Sequence, residues 1–137
     1  MTNIQNKIND FIKNRTVVIL GFGREGQSTY SFLRYYFPQK TICIADSNEA
    51  ISEHGLLKCD DNISFELGDD YLSSISEFEI VFKSPGISFK NYIIPKNQII
   101  SSQTDLFLKL FSKQIIGVTG TKGKSTTVSL LYHILKE

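Results

Sequence analysis

The sequence predicts an α/β fold: an open, mostly parallel sheet with flanking helices. Short apolar, β-branched runs alternate with amphipathic helical stretches along the chain. The run from Thr16 to Leu20 is short and apolar throughout, the pattern of a parallel strand buried on both faces. Two of the runs lead straight into glycine turns that open helices. At 137 residues the chain is long enough for one domain and a piece of another, and too short for two complete ones.

Each element follows from local pattern. Ile4, Ile8, Phe11 and Ile12 recur at helical spacing until Asn14-Arg15, and Thr16 to Leu20 is the first strand. Gly21 to Gly26 turns into a helix carrying Tyr30, Leu33 and Phe37, which Pro38 stops. A second strand, Thr41 to Ala45, ends at Asp46, and a polar helical stretch covers Glu49 to Leu57. Strands follow at Ile63 to Leu67 and Glu79 to Lys83, the latter closed by Ser84-Pro85-Gly86. Gln98 to Ser101 reads as a short strand and Thr104 to Phe111 as a helix, with Thr104 or Ser102 as its cap. Gln114 to Thr119 reads as a last strand and Gly120 to Gly123 as a turn. Lys124 to Lys136 then forms a helix with Val128, Leu131, Ile134 and Leu135 on one face.

Composition narrows the function classes. Hydrophobic residues at 41% and charged residues at 21% describe a globular chain. A net charge of +1 lacks the basic footprint of a nucleic-acid binder. Between Asp46 and Glu79, ten acids face a single Lys58, a stretch that would repel phosphate backbones. No apolar run approaches the roughly 18 residues of a membrane span, and Met1 to Asp10 is too polar for a signal peptide. A cytoplasmic protein with neither nucleic-acid nor membrane partners is expected. Cys43 and Cys59 lack the spacing of a metal site and read as reduced thiols, while His54 and His133 have no partners at useful spacing. Tyr35-Tyr36-Phe37 reads as core and helix edge rather than a stacking platform.

In open parallel sheets, ligands bind outside the carboxyl ends of the strands. This points to the turns after Leu20, Ala45, Lys83 and Thr119. The first, Gly21-Phe22-Gly23-Arg24-Glu25-Gly26, is a GxGxxG sequence between a strand and a helix. Gly21 permits the tight turn, Gly23 lets a phosphate approach the backbone, and Gly26 lets the helix pack on the strand. The helix start offers free N–H groups and a positive dipole end to a diphosphate. Asp46, twenty residues after Gly26, is placed to accept hydrogen bonds from a ribose or base. These features give a Rossmann-like nucleotide site and leave open UDP, NAD or FAD, which present the same diphosphate.

The second glycine turn, Gly120-Thr121-Lys122-Gly123-Lys124-Ser125-Thr126, also follows an apolar run and opens a helix. It departs from the general GxxxxGK[ST] spacing, which would put the first glycine at Val118. The chemistry still suits phosphate: loop N–H groups form an anion site, Lys124 can reach β- and γ-phosphate oxygens, and Ser125 can ligate Mg²⁺.

Ile115 to Thr127, spelling IIGVTGTKGKSTT, resembles the variant P-loop of the Mur ligases, the ATP-dependent amide-forming enzymes of peptidoglycan synthesis. The family commonly has Asn where Lys122 stands. Val17 to Gly23 with Gly26, Ala45-Asp46-Ser47, Lys83 to Ile87 and Thr104 to Phe107 most resemble the branch that adds D-glutamate to UDP-N-acetylmuramoyl-L-alanine. Asp105 stands where that branch commonly has Glu. Another Mur-type ligase, a ligase-like amidase subunit, or a nicotinamide- or flavin-binding module are the alternatives.

The resemblance implies a division into a UDP-binding domain, residues 1–112, and the start of an ATP-binding domain, residues 113–137. Gly21, Phe22, Gly23, Arg24, Gly26 and Gln27 would lie beside the diphosphate. Asp46, Ser47 and Asn48 would border the uridine, and Ser84, Pro85 and Gly86 would close over the nucleotide. ATP would bind at Gly120 to Thr126, with Lys124 catalytic and Ser125 on Mg²⁺. In the reaction so implied, an L-alanyl carboxylate attacks the γ-phosphate of ATP, and D-glutamate then attacks the acyl phosphate. The resemblance further implies a piece of a ligase of about 400 to 450 residues, inactive alone.

Overall fold

The computed structural model describes residues 3–89 and 92–136, with side chains described from residue 6 onward. Ile4, expected in the first apolar stripe, thus lies outside the described side chains. The helices are α1 (Asn3–Ile12), α2 (Arg24–Tyr36), α3 (Gln103–Phe111) and α4 (Lys124–Lys136). The strands are β1 (Val17–Leu20), β2 (Ile42–Asp46), β3 (Ile63–Leu67), β4 (Ile80–Lys83) and β5 (Ile99–Ser101). All five form one parallel sheet in the order β3-β2-β1-β4-β5. Val18 pairs with Cys43 on one side and Val81 on the other, so β1 is central. It is buried at all four positions.

Chain direction across the sheet decides what covers each face. From β1 to β3 the chain steps one way; from β3 to β5 it steps back past β1. Right-handed crossovers therefore put the two sets of connections on opposite faces. On one face, Val17, Ile19, Ile42, Ile44, Ile80 and Phe82 pack with Ile8 and Ile12 of α1, Tyr30 and Leu33 of α2, and Leu106 and Leu110 of α3. On the other, Val18, Leu20, Cys43, Ala45 and Val81 lie under Ile75, Tyr71, Leu72, Phe78, Ile87, Phe89 and Tyr92.

On that second face residues 68–79 form no α-helix and contain only a 3-10 turn, Ser74–Glu77. The segment is rich in Asp and Ser and buries a single side chain completely, Ile75, so it lacks the apolar stripe that holds an amphipathic helix to a sheet. Gln98 ties it to β5 instead, its Nε2 donating to the carbonyls of Ile75 and Phe78 at 2.6 and 2.8 Å. Glu49 to Leu57 likewise shortens to a 3-10 turn, Glu49–Glu53, capped by Asn48. Of the two caps available to α3, Ser102 is used; its Oγ accepts from the Asp105 N–H at 3.1 Å.

The strand expected over Gln114 to Thr119 does not form. Ser112–Gln114 is a 3-10 turn and residues 115–120 form no ladder with any strand. A β-strand exists only by pairing, and the sheet ends at β5. The helix expected at Lys124–Lys136 is present as α4, but none of its residues is buried, and Val128, Ile134 and Leu135 are exposed.

Candidate functional site

The carboxyl ends of β1, β2 and β4 come together at one edge of the sheet, where the connections part to opposite faces. Hydrogen bonds knit the three turns. The Gly21 N–H donates to the Ala45 carbonyl at 2.8 Å, and the Ser84 N–H donates to that of Leu20 at 2.9 Å. Ser84 Oγ donates to the Gly21 carbonyl at 3.1 Å. Asp46 is the hub. Its Oδ2 accepts from the Phe22 N–H at 2.7 Å, its Oδ1 from the Asn48 N–H at 2.9 Å, and its carbonyl from the Gly68 N–H at 3.0 Å.

The three glycines of the first turn hold distinct positions. Gly21 has φ +89°, open to glycine and strained for other residues, and a Cβ there would lie 2.8 Å from Ile87 Cδ1. At Gly26 a Cβ would fall 2.1 Å from the Gly21 carbonyl oxygen, so α2 can close on β1 only without one. At Gly23 a Cβ would meet nothing within 4 Å, leaving open space above the backbone. Gly23 is also the N-cap of α2 and supplies no side-chain acceptor, so the first-turn N–H groups are left to a ligand or solvent.

These turns enclose a cleft of about 310 Å³. Of the residues that the sequence points to, Gly21, Gly23, Arg24, Asp46, Ser47, Ser84 and Pro85 line it, joined by Glu25, Ile87 and Tyr71. Others stand behind it. The Phe22 side chain is 1% exposed and meets Tyr30 and His54 edge-on, at centroid distances of 5.9 and 5.3 Å. Gln27 Nε2 donates to the Phe22 carbonyl at 3.1 Å and braces the loop. Asn48 Oδ1 accepts from the Ala50 N–H at 3.1 Å, which starts the 3-10 turn. Gly26 packs the helix, and Gly86 is exposed beside Pro85.

Tyr71 escapes a motif search because its turn, Gly68-Asp69-Asp70-Tyr71, carries no fingerprint spacing. The available signal is positional: the turn follows a parallel strand, β3, at the same sheet edge.

The second glycine turn is built differently. Gly120 and Gly123 have φ values of 147° and 81°. Lys124 Nζ donates to the Gly120 carbonyl, and the Thr127 N–H and Oγ1 both donate to that of Gly123, at 2.9 and 3.0 Å. Thr121, Lys122, Ser125 and Thr126 are exposed, and none of residues 120–126 lines the cleft. Among the described residues, no helix is long and apolar enough to cross a membrane.

No family model matches the chain, and no solved structure matches it. Curated relatives do. A protein of Clostridium acetobutylicum named UDP-N-acetylmuramoylalanine--D-glutamate ligase is 31% identical over 137 residues, covering 96% of this chain and 30% of the relative. Like-named proteins of Acetivibrio thermocellus and Borreliella burgdorferi are 32% and 33% identical, covering 96% and 93% of this chain. The chain spans about 30% of the length of the relatives it matches. Over nearly all of its length the chain is therefore similar in sequence to one part of proteins named UDP-N-acetylmuramoylalanine--D-glutamate ligase.

Proposed function

We propose that the chain is the UDP-holding part of an ATP-dependent ligase that joins D-glutamate to UDP-N-acetylmuramoyl-L-alanine in the cytoplasm. The observation that carries this is the convergence of three turns on one cleft at the head of α2, with Gly23 open above free N–H groups. A diphosphate seated there meets the amides of the first turn and the positive end of the helix dipole. Arg24 adds a cationic side chain at the rim. Asp46, though already accepting two N–H groups, has carboxylate lone pairs left for a ribose or base donor.

Residues 113–137 are assigned to a separate ATP-binding unit. The donor set fits a triphosphate: two positive-φ glycines, a helix start, and Lys124 on its first turn. Lys124 would exchange its contact with the Gly120 carbonyl for phosphate oxygens, and the Ser125 hydroxyl would offer a hard oxygen ligand to Mg²⁺. Bound Mg²⁺ supplies neutralisation of charge in phosphoryl transfer. Holding D-glutamate is assigned to parts of the ligase beyond the share that this chain spans.

Calorimetric titration tests the reading. UDP and UDP-N-acetylmuramoyl-L-alanine should bind these residues and NAD should not bind appreciably. Tighter binding of NAD than of UDP would overturn it.

A further inference from the structure

The cleft has one wall that neither the glycine fingerprint nor the carboxylate at the end of β2 accounts for. Tyr71 lines it on the sheet face opposite α2, and also packs on the core cluster of Val18, Leu20 and Ile75. Its place is fixed by a short relay. The Asp46 carbonyl accepts from the Gly68 N–H at 3.0 Å, and the Gly68 carbonyl accepts from the Tyr71 N–H at 3.3 Å. Gly68 has φ +87°, a backbone conformation that other residues adopt only with strain, so the turn presenting Tyr71 favours glycine. Tyr71 is thereby tethered to the residue placed to meet a ribose or base, while the phosphate-facing N–H groups belong to α2. Among the described residues the Tyr71 hydroxyl makes no hydrogen bond, and the ring is half-buried, held by the core and still accessible from the cleft.

We propose that Tyr71 is a specificity-determining residue of this cleft, its ring packing against the nucleoside half of the bound nucleotide. The inference rests on the reading of the cleft as a UDP site and adds the group that distinguishes a nucleoside diphosphate from a bare diphosphate. An aromatic ring suits that task, since every nucleobase offers a π-face and a ribose offers an apolar edge. A ring already held by the core also loses little freedom on contact.

The test is titration of UDP and of inorganic pyrophosphate into the wild type, Tyr71→Leu and Tyr71→Phe. Tyr71→Leu keeps an apolar side chain on the core and removes the ring. It should weaken UDP roughly 5- to 50-fold, while pyrophosphate affinity stays within about twofold. Tyr71→Phe should stay within about threefold of wild type for both ligands. UDP affinity unmoved by Tyr71→Leu, a parallel loss of pyrophosphate, or a Tyr71→Phe as weak as Tyr71→Leu overturns the inference and leaves the UDP site standing. Failure of the wild type to bind UDP overturns both. In the unmutated protein, Tyr71 ring proton resonances should shift on adding UDP and hold still with pyrophosphate; unmoved resonances at saturating UDP would overturn the inference without any variant.

Discussion

Asp46 and Phe22 are joined across the sheet edge: the Phe22 N–H donates to Asp46 Oδ2 at 2.7 Å, so the end of β2 holds the loop that follows β1. The carboxylate is thus a structural part of the glycine turn before any ligand arrives. Phe22 completes the clamp from below, its ring sunk in the core against Tyr30 and His54.

Asp46→Ala should therefore act on the fold as well as on binding. It strands the part-buried Phe22 N–H and removes the exposed bond to Asn48, and a loss of about 1–3 kcal/mol in urea-denaturation stability is expected. UDP affinity should fall with it. An unchanged unfolding midpoint would show that the bridge contributes nothing.

Gly26 and Gly23 separate fold from function. Gly26→Ala drives a Cβ into the Gly21 carbonyl and should cost about 3 kcal/mol or more in thermal or urea unfolding. Gly23→Ala meets no protein atom within 4 Å, and its φ of −70° suits alanine. Its stability should stay within about 0.5 kcal/mol of wild type, while UDP affinity drops because the methyl occupies the diphosphate's approach. Equal stability of the two variants would contradict this assignment.

Acid should loosen the β2–β3 connection. Asp60 Oδ2 lies 2.6 Å from Arg34 Nε and accepts from Tyr30 Oη at 2.6 Å. Burial pushes its carboxyl upward, but the hydrogen bonds from Tyr30 and the Asn62 N–H and the Arg34 charge outweigh it and hold it below its ordinary value of 3.8. A carboxyl depressed by folding stabilises the protein above its unfolded value and ceases to do so as pH falls through its folded one. The contribution is thus intact at neutral pH and lost below about pH 4. Asp60→Asn should cost about 1–3 kcal/mol at pH 7, and the gap from wild type should narrow toward pH 2 in chemical denaturation. A gap constant with pH would place the effect elsewhere.

Lys124→Ala should leave UDP affinity within about twofold and stability within about 0.5 kcal/mol, since Lys124 is exposed and bonds only within its own loop. The 137 residues, incubated with ATP, Mg²⁺, UDP-N-acetylmuramoyl-L-alanine and D-glutamate, should release no phosphate above background. A P-loop works by positioning, and nothing among the described residues buries this one. Substrate-dependent turnover would mean that these residues hold a complete site.

The sheet was legible because parallel strands buried on both faces leave uninterrupted apolar runs, as in Val17 to Leu20. Ile115 to Thr119 looks the same in sequence, yet a strand depends on a neighbour that periodicity cannot see. The glycine turn was legible through spacing, and the steric demands at Gly21 and Gly26 follow from the backbone. The direction of the Phe22 side chain, the engagement of both Asp46 oxygens and the arrival of Tyr71 were not legible, since each depends on which segments the topology brings to one edge. The polar stretch after Asn48 shows a further limit. Its i to i+3 bonds, such as His54 N–H to the Ile51 carbonyl at 3.0 Å, satisfy the backbone without a full α-helix.

The central place of β1 has a consequence for synthesis on the ribosome. A nascent chain released as far as Leu67 can pair β1, β2 and β3, but the other side of β1 stays open until Ile80–Lys83 emerges. At roughly 5 to 20 residues per second, that unpaired apolar edge waits for about one to three seconds. During that interval Val17 to Leu20 stays open to pairing with a stranger along that edge, and Arg15 and Thr16 are the polar residues that precede it as gatekeepers.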